Sequence, residues 1–355
     1  MPPRRHSQPT RTATPTVAPP REPKPISAEA PPDPPASYRL VEHLGARLGP
    51  ALAVLREAGS TAPGTPPIDA DGLRRARVAT RRLRAFVQLY ARALGPKKAR
   101  GLNRRLREIT RALGPVREQQ ASLDLLARAA NETTDALQRA ALEHLTVATR
   151  ARNKAAEKKA LRKLQRADPA ALADDVTDAL DRICGRLLRA GEGVHTYVWP
   201  GLESSLRGML SELPARDPEG DIEVLHEVRI RAKRLRYTLE LVRPLLGEHD
   251  RTTRRIAKKV QRGLGTFHDA ALLQSLAAEQ AEVLHDQGHE ILGRALASLA
   301  MTLAQQRDAA LATATPWLAA FDPAALMARL TTAFAGPEPS TVRDGPSEPK
   351  PALLE

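Results

Sequence analysis

The 355-residue chain has one cysteine, Cys184, and only 3% Phe, Trp and Tyr. A single cysteine excludes an intrachain disulfide and any zinc site built from several thiolates. Cys184 reads instead as a small buried apolar residue, and its solitude fits a reducing, cytoplasmic setting. Scarce aromatics remove the stacking platforms that hold single-stranded nucleic acids. No apolar run approaches the roughly 18 residues of a transmembrane helix. Arg4 and Arg5 stand near the N-terminus without the apolar stretch of an export signal, so nothing argues for secretion. Period-two segments of Val, Ile and aromatics are missing as well, and no sheet is predicted. Negative charge is in deficit too: 41 Asp and Glu against 55 Lys and Arg, a net +14. That excess biases the partners toward anions such as nucleic acid, polyphosphate or an acidic membrane surface.

What the chain does have is helical pattern and repetition. Residues 1–36 and 336–355 are rich in Pro, Ser and Thr or Glu, and are expected to be disordered tails. Between them, at 37–335, apolar residues recur at three and four, as in Leu73, Ala76, Thr80, Leu83 and Val87. The chain as a whole is 42% hydrophobic, enough to bury a core. Breaks are expected at 59–72, 94–96, 113–115, 167–169, 199–201, 213–221, 246–247 and 264–265, where Gly and Pro cluster. Several helices joined by short turns give an all-α bundle.

The chain also resembles itself. "RVATRRLRAFVQLYARALG" (77–95) aligns without gaps on "RIRAKRLRYTLELVRPLLG" (229–247). One residue of offset then aligns "RRLREITRALGPVRE" (104–118) on "RIAKKVQRGLGTFHD" (255–269). Two copies of one helical unit, at about 37–198 and 199–335, are the simplest account.

In each copy a basic stripe lies directly beside the apolar one. Arg74, Arg77, Arg81 and Arg84 flank the first stripe; His226, Arg229, Lys233 and Arg236 flank Leu225, Val228, Ala232, Leu235 and Leu239. The far sides carry Val78 and Ala85, or Ile230 and Tyr237, so each basic row runs between two partly buried faces. A second helix repeats the device. Arg104, Arg107 and Arg111 share one face, and Arg255, Lys258 and Arg262 are their counterparts. One basic stripe alone is usually a solvated face whose side chains lie over apolar surface. Four in matching phase, almost without acidic partners, repel one another and make sense as a site for a polyanion. By contrast "RARNKAAEKKALRKLQR" (150–166) has no basic counterpart in the second half and reads as ordinary solvated surface.

These segments resemble the CHAD family, the conserved histidine α-helical domain, over roughly residues 38–335. A histidine followed by R-x-x-x-[RK]-R-L-R is met by "HEVRIRAKRLRY" (226–237), and its latter part by "RVATRRLR" (77–84). "ALGPVRE" and "GLGTFHD" resemble the turn after the family's second helix. In the first copy the histidine position falls on Arg74, which preserves charge and bidentate phosphate binding but not a titratable imidazole. The resemblance implies two tandem four-helix bundles facing each other across a basic channel that binds inorganic polyphosphate without catalysis, often on polyphosphate granules. Fused triphosphate-tunnel domains of some relatives need strands and an E-x-E-x-K segment, which are not seen here.

Two other readings compete. The basic stripes admit nucleic acid as a partner, but the aromatic content is poor and no helix–turn–helix or zinc pattern is convincing. An enzyme acting on phosphoanhydrides would draw on His268 and Asp269, or His226 and Glu227. Such hydrolases normally gather several carboxylates for a metal, or a nucleophile with its base. The first copy has Arg117–Glu118 where the second has His268–Asp269, so this histidine is not part of the shared pattern. No cofactor, metal or membrane partner is expected, and nothing assigns an oligomeric state.

Overall fold

The computed structural model describes residues 33–60, 68–210, 222–247, 249–319 and 322–335. Most of the two proposed tails and the 213–221 break lie outside these residues. Among those described, all regular structure is helical, as the missing strand pattern requires. The elements are α1 (Ala36–Gly59), α2 (Ala70–Leu89), α3 (Ala91–Leu94), α4 (Pro96–Ala112), α5 (Gly114–Glu132) and α6 (Ala136–Ala167). They continue with α7 (Pro169–Ala190), α8 (Val194–Leu210), α9 (Ile222–Leu241), α10 (His249–Asp286), α11 (Glu290–Ala319) and α12 (Pro323–Ala335). Short 3₁₀ turns at Gly191–Gly193 and Arg243–Leu245 lie between them.

Local chemistry sets the boundaries. The Asp69 carboxylate accepts from the Gly72 N–H at 2.7 Å and caps α2; Asp135 caps α6 through the Leu137 and Gln138 N–H groups. Asp168 takes the left-handed conformation at φ 45°, ends α6, and accepts from the Ala171 N–H to start α7, with Pro169 at its first position. Two expected breaks do not occur. Residues 264–265 lie inside α10, which runs 38 residues without interruption. Their counterparts at 113–115 do separate α4 from α5. The aligned segments differ there by Pro115 against Thr266, and proline has no N–H to carry the ladder through the turn. Pro200 likewise falls inside α8 rather than ending it.

Two apolar cores form, and each takes helices from both halves of the chain. One joins α1, α2, α4, α7, α8, α9 and α12 with the C-terminal end of α6, through residues such as Leu44, Leu83, Phe86, Ile109, Val176, Leu202, Leu235 and Leu330. The other joins α5 and the N-terminal half of α6 to α10 and α11, through Leu126, Leu142, Leu145, Leu284 and Leu296. The long helices cause this crossing. At about 1.5 Å per residue, α6 and α10 are each longer than one core. The 32-residue α6 serves one core with Leu142 and the other with Leu164.

α8 crosses the end of α2 at Gly201, where a Cβ would lie 2.0 Å from the Leu89 carbonyl oxygen. Backbone cannot step aside as a side chain can. Gly201→Ala is therefore expected to cost about 3 kcal/mol in chemical denaturation. Gly208→Ala, in the same helix with nothing within 4 Å of the added carbon, should be neutral or stabilising.

Candidate anion-binding site

The apolar stripe of α2 is fully committed: Leu73, Ala76, Thr80, Leu83 and Val87 are buried, and Thr80 satisfies its hydroxyl on the Arg77 carbonyl at 2.9 Å. Ala85, Phe86 and Leu89 bury the flank beyond the basic row. α9 is built alike, with Val228, Ala232, Leu235 and Leu239 on one side and Tyr237 and Leu241 on the other. Ile230 is exposed, so the second wall of α9 is carried by its C-terminal half. Arg77, Arg81, Arg84, Arg229, Lys233 and Arg236 are thus half-buried between two anchored faces.

α2 packs on α9, and α4 and α5 pack on α2. The two basic rows consequently meet. Burial pushes the Lys233 ammonium down to about 7; Arg229, Arg81 and Arg77 add repulsion, and Asp269 opposes them. The Arg77 guanidinium falls to about 10, first through burial and then through Arg81 and Arg117. Arg84 is lowered by burial and by Arg107, Arg234, Arg81 and Arg111. Arg229 is lowered by burial, with Asp269 partly offsetting it and Arg81 and Arg117 adding to it. Such mutual effects require cations of α2, α4, α5 and α9 to share one neighbourhood.

Among the described residues, partners for these cations are few. Arg84 donates from Nε to Asn103 Oδ1 at 3.2 Å, and Arg229 has Asp269 at 3.9 Å. The Nε atoms of Arg77, Arg229 and Arg236 are buried without a protein hydrogen-bond partner.

The predicted residues do not all behave alike. Arg77, Arg81, Arg84, Arg107, Arg111, Arg229 and Lys233 come together. Arg236 lines the same face of α9, but its head pairs with Glu240 at 3.1 Å and lies 4.8 Å over the Tyr237 ring. Arg74 is exposed and pairs with Asp71 at 2.7 Å. Arg104, Arg255, Lys258 and Arg262 are exposed and are not among the charges named above as acting on the buried groups. His226 belongs to α9, but its side chain lies outside the described residues.

Arg117, Arg234 and Asp269 join the cluster without having been singled out for it. A helical count from Arg111 does not reach Arg117, because the chain turns at Leu113–Pro115 between them. Arg234 sits one step round the helix from the basic stripe, and Asp269 arrives from α10 only through packing. Asp269 also borders a separate cleft of about 460 Å³ lined by leucines such as Leu142 and Leu273 together with Arg128, Glu132, Gln138 and Gln306. Within 150–166, Asn153 donates to Glu157 at 2.8 Å, as on an ordinary surface. Among the described residues, no three His, Cys, Asp or Glu side chains are placed to hold a metal ion, and no helix is long and apolar enough to cross a membrane. Cys184 packs partly buried on the first core, and burial raises its thiol pKa.

The family model of the CHAD domain matches residues 62–278. The chain belongs to the CHAD domain family. Among solved structures, the CHAD domain from the plant Ricinus communis is similar at 21% identity over 82% of this chain and 94% of that one, with a TM-score of 0.51. PptA from Streptomyces chartreusis is similar at 18% identity over 81% of this chain and 100% of that one, with a TM-score of 0.58. At these identities the likeness is one of fold. No curated protein matches the chain.

The depressed Lys233 carries a signed prediction for this CHAD protein. Between about 7 and the ordinary 10.5 the unfolded chain holds a proton that the folded site rejects. Stability should therefore rise with pH through that window, and the penalty is complete below it. Lys233→Met should raise the melting temperature of the free protein by a few degrees near pH 6 and flatten the rise toward pH 9. A wild-type-like slope in that variant would refute the assignment.

Proposed function

We propose that this CHAD protein binds inorganic polyphosphate in the basic cluster and leaves it chemically unchanged. The observation that carries this reading is a set of half-buried guanidinium groups, drawn from both basic rows, whose charges depress one another, with the Nε donors of Arg77 and Arg229 buried and unpartnered among the described residues. Such a cluster is destabilised until anions enter it. Phosphates spaced along a flexible chain match it without bases to stack. Arg77, Arg81, Arg84 and Arg229 clamp phosphate oxygens through charge-assisted, often bidentate hydrogen bonds, while Lys233 acts as a point charge. Arg107 and Arg111 extend the track along α4, and residence on polyphosphate granules would follow from the same binding.

Catalysis finds less support. Asp269, the carboxylate of the sequence pair His268–Asp269, faces Arg229 at 3.9 Å and opposes the repulsion on Lys233. Nucleic acid remains the competitor that charge alone admits, so specificity must be tested against it.

Arg81→Gln with Lys233→Gln should weaken binding to long-chain polyphosphate by roughly 100-fold or more, since each lost charge-assisted bond is worth about 1.5–3 kcal/mol. Arg150→Gln with Lys154→Gln removes the same charge from the α6 surface and should leave retention on immobilised polyphosphate nearly intact. Equal losses in both pairs would reduce the site to net charge. Displacement of polyphosphate by DNA or RNA at equal phosphate concentration would favour nucleic acid.

A further inference from the structure

Arg77 and Arg229 hold corresponding places in the two aligned segments, and so do Glu118 and Asp269. Only the second of these carboxylates is set against its arginine. Asp269 lies 3.9 Å from the Arg229 guanidinium and favours the charged forms of Arg229 and Lys233. Glu118, early in α5, is exposed, makes no ion pair with Arg77, and acts on it less than Tyr237 does. Among the charges acting on Arg229 and Lys233, which are Arg77, Arg81, Arg117 and each other, Asp269 is the opposing anion.

The contact is loose in a telling way. At 3.9 Å the Asp269–Arg229 pair attracts but is too long for a hydrogen bond, and both arginines keep a buried Nε without a protein partner. At the terminal nitrogens Arg236 and Arg74 show the alternative: their carboxylates close to 3.1 Å and 2.7 Å, although the Arg236 Nε is unpartnered as well. A counter-charge held at the longer distance relieves repulsion while leaving the donors for another acceptor.

We propose that Asp269 is a resident competing anion: it balances the buried Arg229 in the free protein and yields it to a phosphate of the incoming chain. It is a positioning residue acting through Arg229 and Lys233, and it holds the affinity down and keeps binding reversible. The inference rests on the polyphosphate reading of the site. Its consequence is a pair of opposite signs. Removing a carboxylate lowers the stability of the free protein, because repulsion goes unrelieved, and tightens anion binding, because nothing competes. A carboxylate with a purely architectural role would lower both.

The test uses the full chain with Asp269→Asn, Glu118→Gln and the charge-preserving Asp269→Glu. Affinity for long-chain inorganic polyphosphate is measured by calorimetry near pH 6, where Lys233 carries its charge, and melting temperature is measured without ligand. Asp269→Asn should bind about three- to tenfold tighter and melt lower. Glu118→Gln, altered at an exposed residue without an ion pair to Arg77, should change affinity less, and Asp269→Glu should match wild type. Unchanged or weaker affinity in Asp269→Asn, or an equal gain in Glu118→Gln, overturns the inference. If Asp269→Asn does not fold, Asp269→Ser decides by the same criterion. A wild-type protein that fails to bind polyphosphate defeats the proposed function itself, a result distinct from normal wild-type binding with unresponsive variants.

Discussion

Repulsion between like charges, imposed by apolar packing, is the constraint on which the site depends. Left to themselves, Arg77, Arg81, Arg229 and Lys233 would swing into water and apart. They are held because each sits between residues that cannot leave the core: Leu73, Leu83 and Val87 on α2, Val228, Leu235 and Leu239 on α9. Full burial of one such side chain contributes about 1.5–3 kcal/mol. Several per helix outweigh the electrostatic cost and fix where the charges stand. The fold thus stores an unfavourable arrangement that an anion would relieve, which is what preorganisation would mean for the proposed ligand.

Much of this was legible in the sequence because helical period and charge position are both local properties. The phase of the basic rows of α2 and α9 against their apolar stripes followed from residue spacing alone. Their convergence did not, because it depends on α2 packing against α9. Likewise no periodic count yields Arg117, which lies past the Pro115 turn, or Asp269, which reaches the cluster from the long α10. The uninterrupted α10 was misjudged for a related reason: a Leu-Gly pair reads as a turn, yet the decisive residue is the one after it, proline in one copy and threonine in the other. Arg236 and Arg74 show the opposite failure. Their spacing was right, but neighbouring carboxylates hold their heads.

The distribution of helices between the cores bears on how the site is maintained. α6 and α10 pass from one core to the other, so the walls of the cluster are not contributed by independent halves. α2 and α9 share the first core, while α10 brings Asp269 to the cluster and continues into the second. Arg74, at the place where the CHAD resemblance expects a histidine, stands exposed and ion-paired near the start of α2, while Arg77, Arg81 and Arg84 further along are half-buried.

The most direct measurement is the number of protons taken up when polyphosphate binds near pH 8, obtained by calorimetry in buffers of different ionisation enthalpy. An ammonium buried among arginines and depressed to about 7 is largely neutral there, and phosphate beside it must recharge it. The account predicts uptake approaching one proton per site, abolished in Lys233→Met. Binding without proton uptake would contradict it, since the anion would then lie somewhere other than among these converging charges.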